Sequence, residues 1–195
     1  MSRTNKTLVA IVAIALIVVV ALLVYLYLPM GGSPGTSGTS ITILKDGLQQ
    51  TFSLSDIQTL KNITSSAGQI NKAGVVKSIG NYTGVPIPIL LNFFSPNMSR
   101  LNITLNVTAS DNSYELYNFS TIMGNVPIYA LNGNKTEQRG LIMALVYKKD
   151  GQLLNASQGP YMIGFLGRPG LTTPQISTAS LWWRNVRSIR VIPAS

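Results

Sequence analysis

Two sets of residues in this chain have the types and spacing to do chemistry. The first is the stretch SIGNYTGVPIPILL at residues 78–91, where Gly80 and Gly84 flank Tyr82 ahead of a proline-led apolar run. Such glycines serve either close backbone approach to a bound group or a turn leading into a helix, and turn positions are the commoner use. The second set is basic: Lys148 and Lys149 in YKKDG, with Arg168 in GFLGRPG, can hold an anion, in competition with ordinary surface basicity. Asp111 and Glu115 are close enough in sequence to converge as a carboxylate pair, but turn and solvated strand positions account for them as well.

What is missing narrows the chemistry further. The chain has neither cysteine nor histidine. That removes zinc sites, iron–sulfur clusters, Cys- or His-ligated haem, blue copper, and Cys–His or Ser–His–Asp catalysis. No disulfide can staple the fold, so its core must hold it. With 15 Lys and Arg against 6 Asp and Glu, the net charge is +9. Either an anionic partner or an acidic solvent that would protonate carboxylates explains this balance. The basic residues are scattered, which argues against nucleic acid, and in a strand Arg187 would face away from Arg184 and Arg190.

The elements that must position these residues begin with a membrane anchor. Residues 8–28 run without a charge, and at about 1.5 Å rise per residue they match the roughly 30 Å core of a bilayer. Arg3 and Lys6 precede them and no basic residue follows until Lys45, so residues 1–7 are expected in the cytoplasm and the remainder outside. The apolar run is longer than that of a cleaved secretory signal. Residues 29–40, rich in Gly, Ser and Thr, read as a flexible stalk, and the folded domain is expected over residues 41–195. N-x-Ser/Thr sequons at Asn62, Asn81, Asn97, Asn102, Asn106, Asn118, Asn134 and Asn155 point to N-linked glycans on an outer surface. A glycosylated, acid-poor, Cys-free outer domain fits an acidophilic archaeon.

Beyond the stalk, ITILKDGLQQTF reads as a hairpin about Asp46-Gly47, and SLSDIQTL as a short helix with Ser55 and Gln58 as its capping box. ITSSAGQI and GVVKSIG read as strands, and Pro86 opens a short buried helix in PIPILLNFF. LNITLNVTA alternates strictly, with Leu101, Ile103, Leu105, Val107 and Ala109 on one face and Asn102, Thr104, Asn106 and Thr108 on the other. YELYNF, PIYALN, LIMALVY, YMIGFL and the end of LWWRNVRSIRVI supply further strands. Of the two tryptophans, one is expected inward and one toward solvent. About ten short strands and two or three short helices make an α+β, mainly β domain.

In order along the chain, TFSLSDIQTL, GNYTGVPIPILL, ITLNVTASDNSYEL, PIYALNGN, LIMALVYKKDGQLLNASQGPYMIGF and LWWRNVRSIRVI resemble the blocks of the molybdopterin-binding domain of sulfite-oxidase-like oxidoreductases. The resemblance spans nearly all of residues 41–192. It implies that family's mixed sheet and barrel fold, and a cofactor site near Ser78, Gly80, Tyr82, Gly84 and Arg168. The family ligates molybdenum through a cysteine and holds the pterin phosphate with Arg and His, whereas this chain carries Ser78 in that neighbourhood and no His. The resemblance therefore implies the fold; no catalytic residue is assigned, and with the ligating Cys absent a molybdenum would have to rely on the pterin dithiolene alone.

The expected function is a single-pass, membrane-anchored accessory or docking subunit of a respiratory or sulfur-oxidising membrane complex. Two alternatives stand beside it: a redox subunit acting on sulfite or thiosulfate with Lys148 and Arg168 steering the anion, and a glycosylated archaeal pilin. Mass spectrometry of the chain from its native membrane is expected to find Met1 retained and glycans on several sequons. A new N-terminus close to Lys6 would instead make it a pilin.

Overall fold

The computed structural model describes residues 39–94, 102–168, 171 and 173–193. The expected span at residues 8–28 and most of the stalk lie outside them. Among the described residues no helix is long and apolar enough to cross a membrane.

The chain enters at β1 (Ile41–Lys45) and turns into β2 (Leu48–Phe52). Asp46 and Gly47 both have positive φ, the geometry of the tight hairpin that the Asp-Gly pair predicts. Helix α1 (Leu54–Thr59) follows, but its capping box is not Ser55 with Gln58. Ser53 is the N-cap: its hydroxyl accepts from the Asp56 N–H, while the Asp56 carboxylate accepts from the Ser53 N–H at 2.8 Å. The box sits two residues earlier than expected because Leu54 already has helical backbone.

Next come β3 (Ile63–Ile70), β4 (Val76–Pro86) and α2 (Ile87–Leu91), with Pro86 and Pro88 at the helix start as expected. Then follow β5 (Ile103–Ala109), β6 (Tyr114–Tyr117), α3 (Phe119–Ile122), β7 (Ile128–Tyr129) and β8 (Ile142–Lys149). Last are β9 (Gln152–Leu153), β10 (Met162–Leu166), β11 (Gln175–Thr178), a 3₁₀ turn (Ala179–Leu181) and β12 (Val186–Pro193).

Two mixed sheets result. One has the order β2-β1-β12-β5-β6, and the other β10-β8-β4-β3-β11-β7 with β9 attached to β8. The first sheet buries one face only. Ile103, Leu105, Val107 and Ala109 of β5 point inward, as their alternation predicts, against Ile41, Ile43 and Ile189. The second sheet is buried on both faces in its middle. Met143, Leu145 and Tyr147 of β8 enter the main core between the sheets, while Ala144 and Val146 enter a smaller core behind it. A near-continuous apolar run is what two-sided burial requires.

The tryptophans depart from expectation. Trp182 is buried in the smaller core, and Trp183, half-buried, packs against the main one instead of standing out toward solvent. Gly164 makes room for Trp182, because a Cβ there would lie 2.8 Å from its ring. Arg187 also departs from strand alternation: the register of β12 shifts between Val186 and Ser188, and Arg187 and Arg190 are both exposed.

Three buried tyrosines tie irregular backbone to this frame. Tyr161 donates to the Thr39 carbonyl at 2.9 Å, Tyr117 to that of Leu181 at 2.9 Å, and Tyr82 to that of Ser78. Burial raises the pKa of all three phenols, that of Tyr82 to about 12. The unfolded chain ionises these groups near pH 10, so the folded state is fully favoured below that and loses stability as pH rises through 10 toward 12. At the acid end, hydrogen bonds from Ser53 hold Asp56 below the usual carboxylate range, and those from Ser113 do the same for Asp111. Their contribution is lost as pH falls through their folded values. Denaturant titrations across pH are thus expected to fall steeply above pH 10 and only shallowly in acid. In the same assay Leu105→Ala should cost about 2–5 kcal/mol.

Candidate functional site

The stretch at residues 78–84 is a strand, not a turn. It forms the second half of β4, clasped between β3 and β8. Ser78, at φ +57°, is the extra residue of a bulge where Ala67 and Gln69 of β3 face Gly80 and Lys77. The Tyr82 ring lies buried against Trp182, with ring centroids 5.0 Å apart. Both glycines serve packing. A Cβ on Gly84 would meet the Leu145 carbonyl oxygen at 2.7 Å and the Val146 Cα at 2.9 Å. A Cβ on Gly80 would meet Lys149 Cε at 2.5 Å and the Asp150 carboxylate at 2.9 Å. Asp150 extends the ladder past the end of β8, accepting from the Asn81 N–H at 2.8 Å while its own N–H donates to the Asn81 carbonyl at 2.7 Å.

A pterin-borne molybdenum was the group implied for this stretch. The residues present do not fit it: the space beside each glycine is filled by protein atoms, the Ser78 carbonyl is taken by Tyr82, and the chain has no thiolate to offer. Among the described residues no three His, Cys, Asp or Glu side chains gather in a group that could hold a metal ion. Nor is there a carboxylate pair at the β5–β6 hairpin. Asp111 accepts from the Ser113 N–H within the turn, and Glu115 stands in β6 opposite Val107.

The basic candidates divide into two places. Leu166, two residues before Arg168, pairs with Ile142 at one end of β8, and Lys148 and Lys149 close the other end. Six residues of strand separate them, roughly 20 Å. Lys149 lies over the Tyr82 ring at 5.3 Å and lines a cleft of about 400 Å³ with Arg184 and Asn155. Arg168 instead belongs to a cleft of about 500 Å³ with Arg139, Gln138, Leu141, Leu171 and Gln175. Gly140, at φ +87°, turns the chain against the Arg168 guanidinium, which would lie 3.2 Å from a Cβ there. Arg139 was not singled out in the sequence. It precedes β8 by a short loop, and only its nearness to Arg168 in space makes it notable.

One wall of this cleft, Gln175, belongs to a set of buried polar residues. Among the described residues the buried polar side chains are Ser65, Gln69, Gln175 and Ser177, on the paired strands β3 and β11. Gln175 forms the cleft floor and donates to the Thr173 carbonyl at 3.1 Å; Ser177 accepts from Trp182 Nε1 at 2.8 Å. Gln69 Nε2 has no hydrogen-bond partner among the described residues, which leaves a buried donor unsatisfied. Two guanidinium groups with the Gln138 and Gln175 amides in one cleft suit an anion or a carboxylate-bearing ligand.

Most of the sequon asparagines stand at the surface. Asn62, Asn81, Asn102, Asn118, Asn134 and Asn155 are exposed, and Asn106 is half-buried on the outer face of the first sheet. Asn97 lies outside the described residues.

No family model matches the chain, and no curated protein matches it. Among solved structures it is similar to the crystal structure of the sulfane dehydrogenase SoxCD from Paracoccus pantotrophus, at 13% identity and a TM-score of 0.54. The match covers 80% of this chain and 38% of that one, so this chain corresponds to well under half of its neighbour. The likeness supports a distant sulfite-oxidase-like fold, the fold that the order of sequence blocks implied.

If Gly84 serves packing, Gly84→Ala should cost about 1–3 kcal/mol in denaturant unfolding, because backbone atoms cannot yield. Gly80→Ala should cost less, since the flexible end of Lys149 can move aside. Equal, negligible effects would place both glycines outside the packing described.

Proposed function

We propose that this chain is a membrane-anchored, extracytoplasmic accessory subunit of a membrane-bound complex, of respiratory or sulfur-oxidising type, that keeps a sulfite-oxidase-like fold without cofactor-based catalysis. The observation that carries this reading is the filling of the space beside Gly80 and Gly84 by Lys149, Asp150 and the β8 backbone. The apolar run at residues 8–28 would hold the domain to the membrane with its N-terminus in the cytoplasm, residues 29–40 would act as its stalk, and glycans on the exposed sequons would cover its outer surface. Its partners are then the membrane and the other subunits, with no role for nucleic acid.

The likeness to a sulfane dehydrogenase favours a second reading, a redox subunit acting on sulfite or thiosulfate. In that case Arg139 and Arg168 would hold the oxyanion, while Lys148 and Lys149, at the far end of β8, would not.

Purification from native membranes separates the two readings. Stable co-purifying subunits with no molybdenum, tungsten or oxidised pterin are expected. A lone chain would overturn the accessory role, and one molybdenum or tungsten per chain would restore the enzyme.

A further inference from the structure

The cleft holding Arg139 and Arg168 does not end at Arg139. It adjoins a second cleft of about 300 Å³, and the two share Gln138 and Arg139 in their walls. Together they form a trough along the loop that runs from β7 to β8. Its charged groups are three cations, Lys135, Arg139 and Arg168, against the single acid Glu137. None of these cations is paired, because Lys45 with Asp46 is the one ion pair among the described residues. The trough also has apolar wall: Val126, Pro127 and Leu141 contribute, and Leu171 is half exposed at 49%.

Resting on the accessory reading above, we infer that this trough docks an extended acidic segment of a partner subunit, with carboxylates meeting Lys135, Arg139 and Arg168 and an apolar side chain covering Leu171. Length and charge decide for this occupant. A lone oxyanion would satisfy the two guanidinium groups but leave the Lys135 end of the trough and its apolar wall uncovered. An extended segment presents a side chain to the same wall at every second residue, so carboxylates and an apolar group can alternate along it.

The test uses the full chain in detergent micelles and a fluorescein-labelled decapeptide of glutamate and leucine, followed by anisotropy at low salt. The double variant Arg139→Gln/Arg168→Gln is expected to weaken binding by about tenfold or more. The control Arg187→Gln/Arg190→Gln removes the same charge from exposed positions on β12 and should weaken it by no more than about twofold. Thermal unfolding checks that both variants remain folded, which their surface positions favour. Equal weakening by the two variants would show attraction to net charge alone and overturn the inference, as would absence of binding. Displacement of the peptide by equimolar thiosulfate would overturn it in favour of a small-anion site. The two readings fail separately. A lone chain from native membranes that still binds the peptide sinks the accessory role only, whereas subunits that stay bound to the Arg139→Gln/Arg168→Gln chain sink the trough only.

Discussion

The structure depends on how closely β4 approaches β8. At Gly84 the two backbones are so near that no side chain fits between them, and this contact lies in the middle of a sheet buried on both faces. Val85 sends its side chain into the main core and Tyr82 into the smaller one, so the strand joins the two cores as well as the two neighbouring strands. Because interiors pack at crystal-like density, an added methyl here has nowhere to go. Helix α2 starts directly from this strand and drives Ile87, Leu90 and Leu91 into the main core.

From that contact the remaining features follow in space. The bulge at Ser78 bends β4 where it leaves β8, and the Tyr82 hydroxyl holds the bulged carbonyl. Asp150 closes the open end of the ladder with its own backbone and carboxylate. Lys148 and Lys149 are thereby fixed at one end of the sheet and Arg168 at the other. A stretch that resembles a cofactor block is thus absorbed into the frame, and the basic cleft forms elsewhere, where the β7–β8 loop meets the chain leaving β10.

Much of the fold was legible from residue patterns because its strands obey simple periods. The β5 alternation and the Asp-Gly hairpin at residues 46–47 need only side-chain period and left-handed backbone. The strand nature of residues 80–86 was not legible: two glycines and a proline signal a turn, and only the tertiary approach of β8 turns those glycines into strand residues. Trp183 was misjudged because its side chain is placed by an isolated bridge to Ile163, a pairing with no local signal. For the candidate site, Arg168 was visible as an isolated basic residue in a Gly-Pro loop. Its companion Arg139 is brought near by the loop before β8, and the buried polar residues of β3 and β11 by a parallel pairing between distant strands; neither spacing nor composition encodes these.

Amide hydrogen exchange across residues 81–85 of the full chain tests the central claim most directly. If this stretch is sheet core, its amides exchange only through global unfolding, as slowly as those of Val107 in β5. Exchange as fast as that of the exposed hairpin turn at Gly47 would mean a free loop, and would contradict the account.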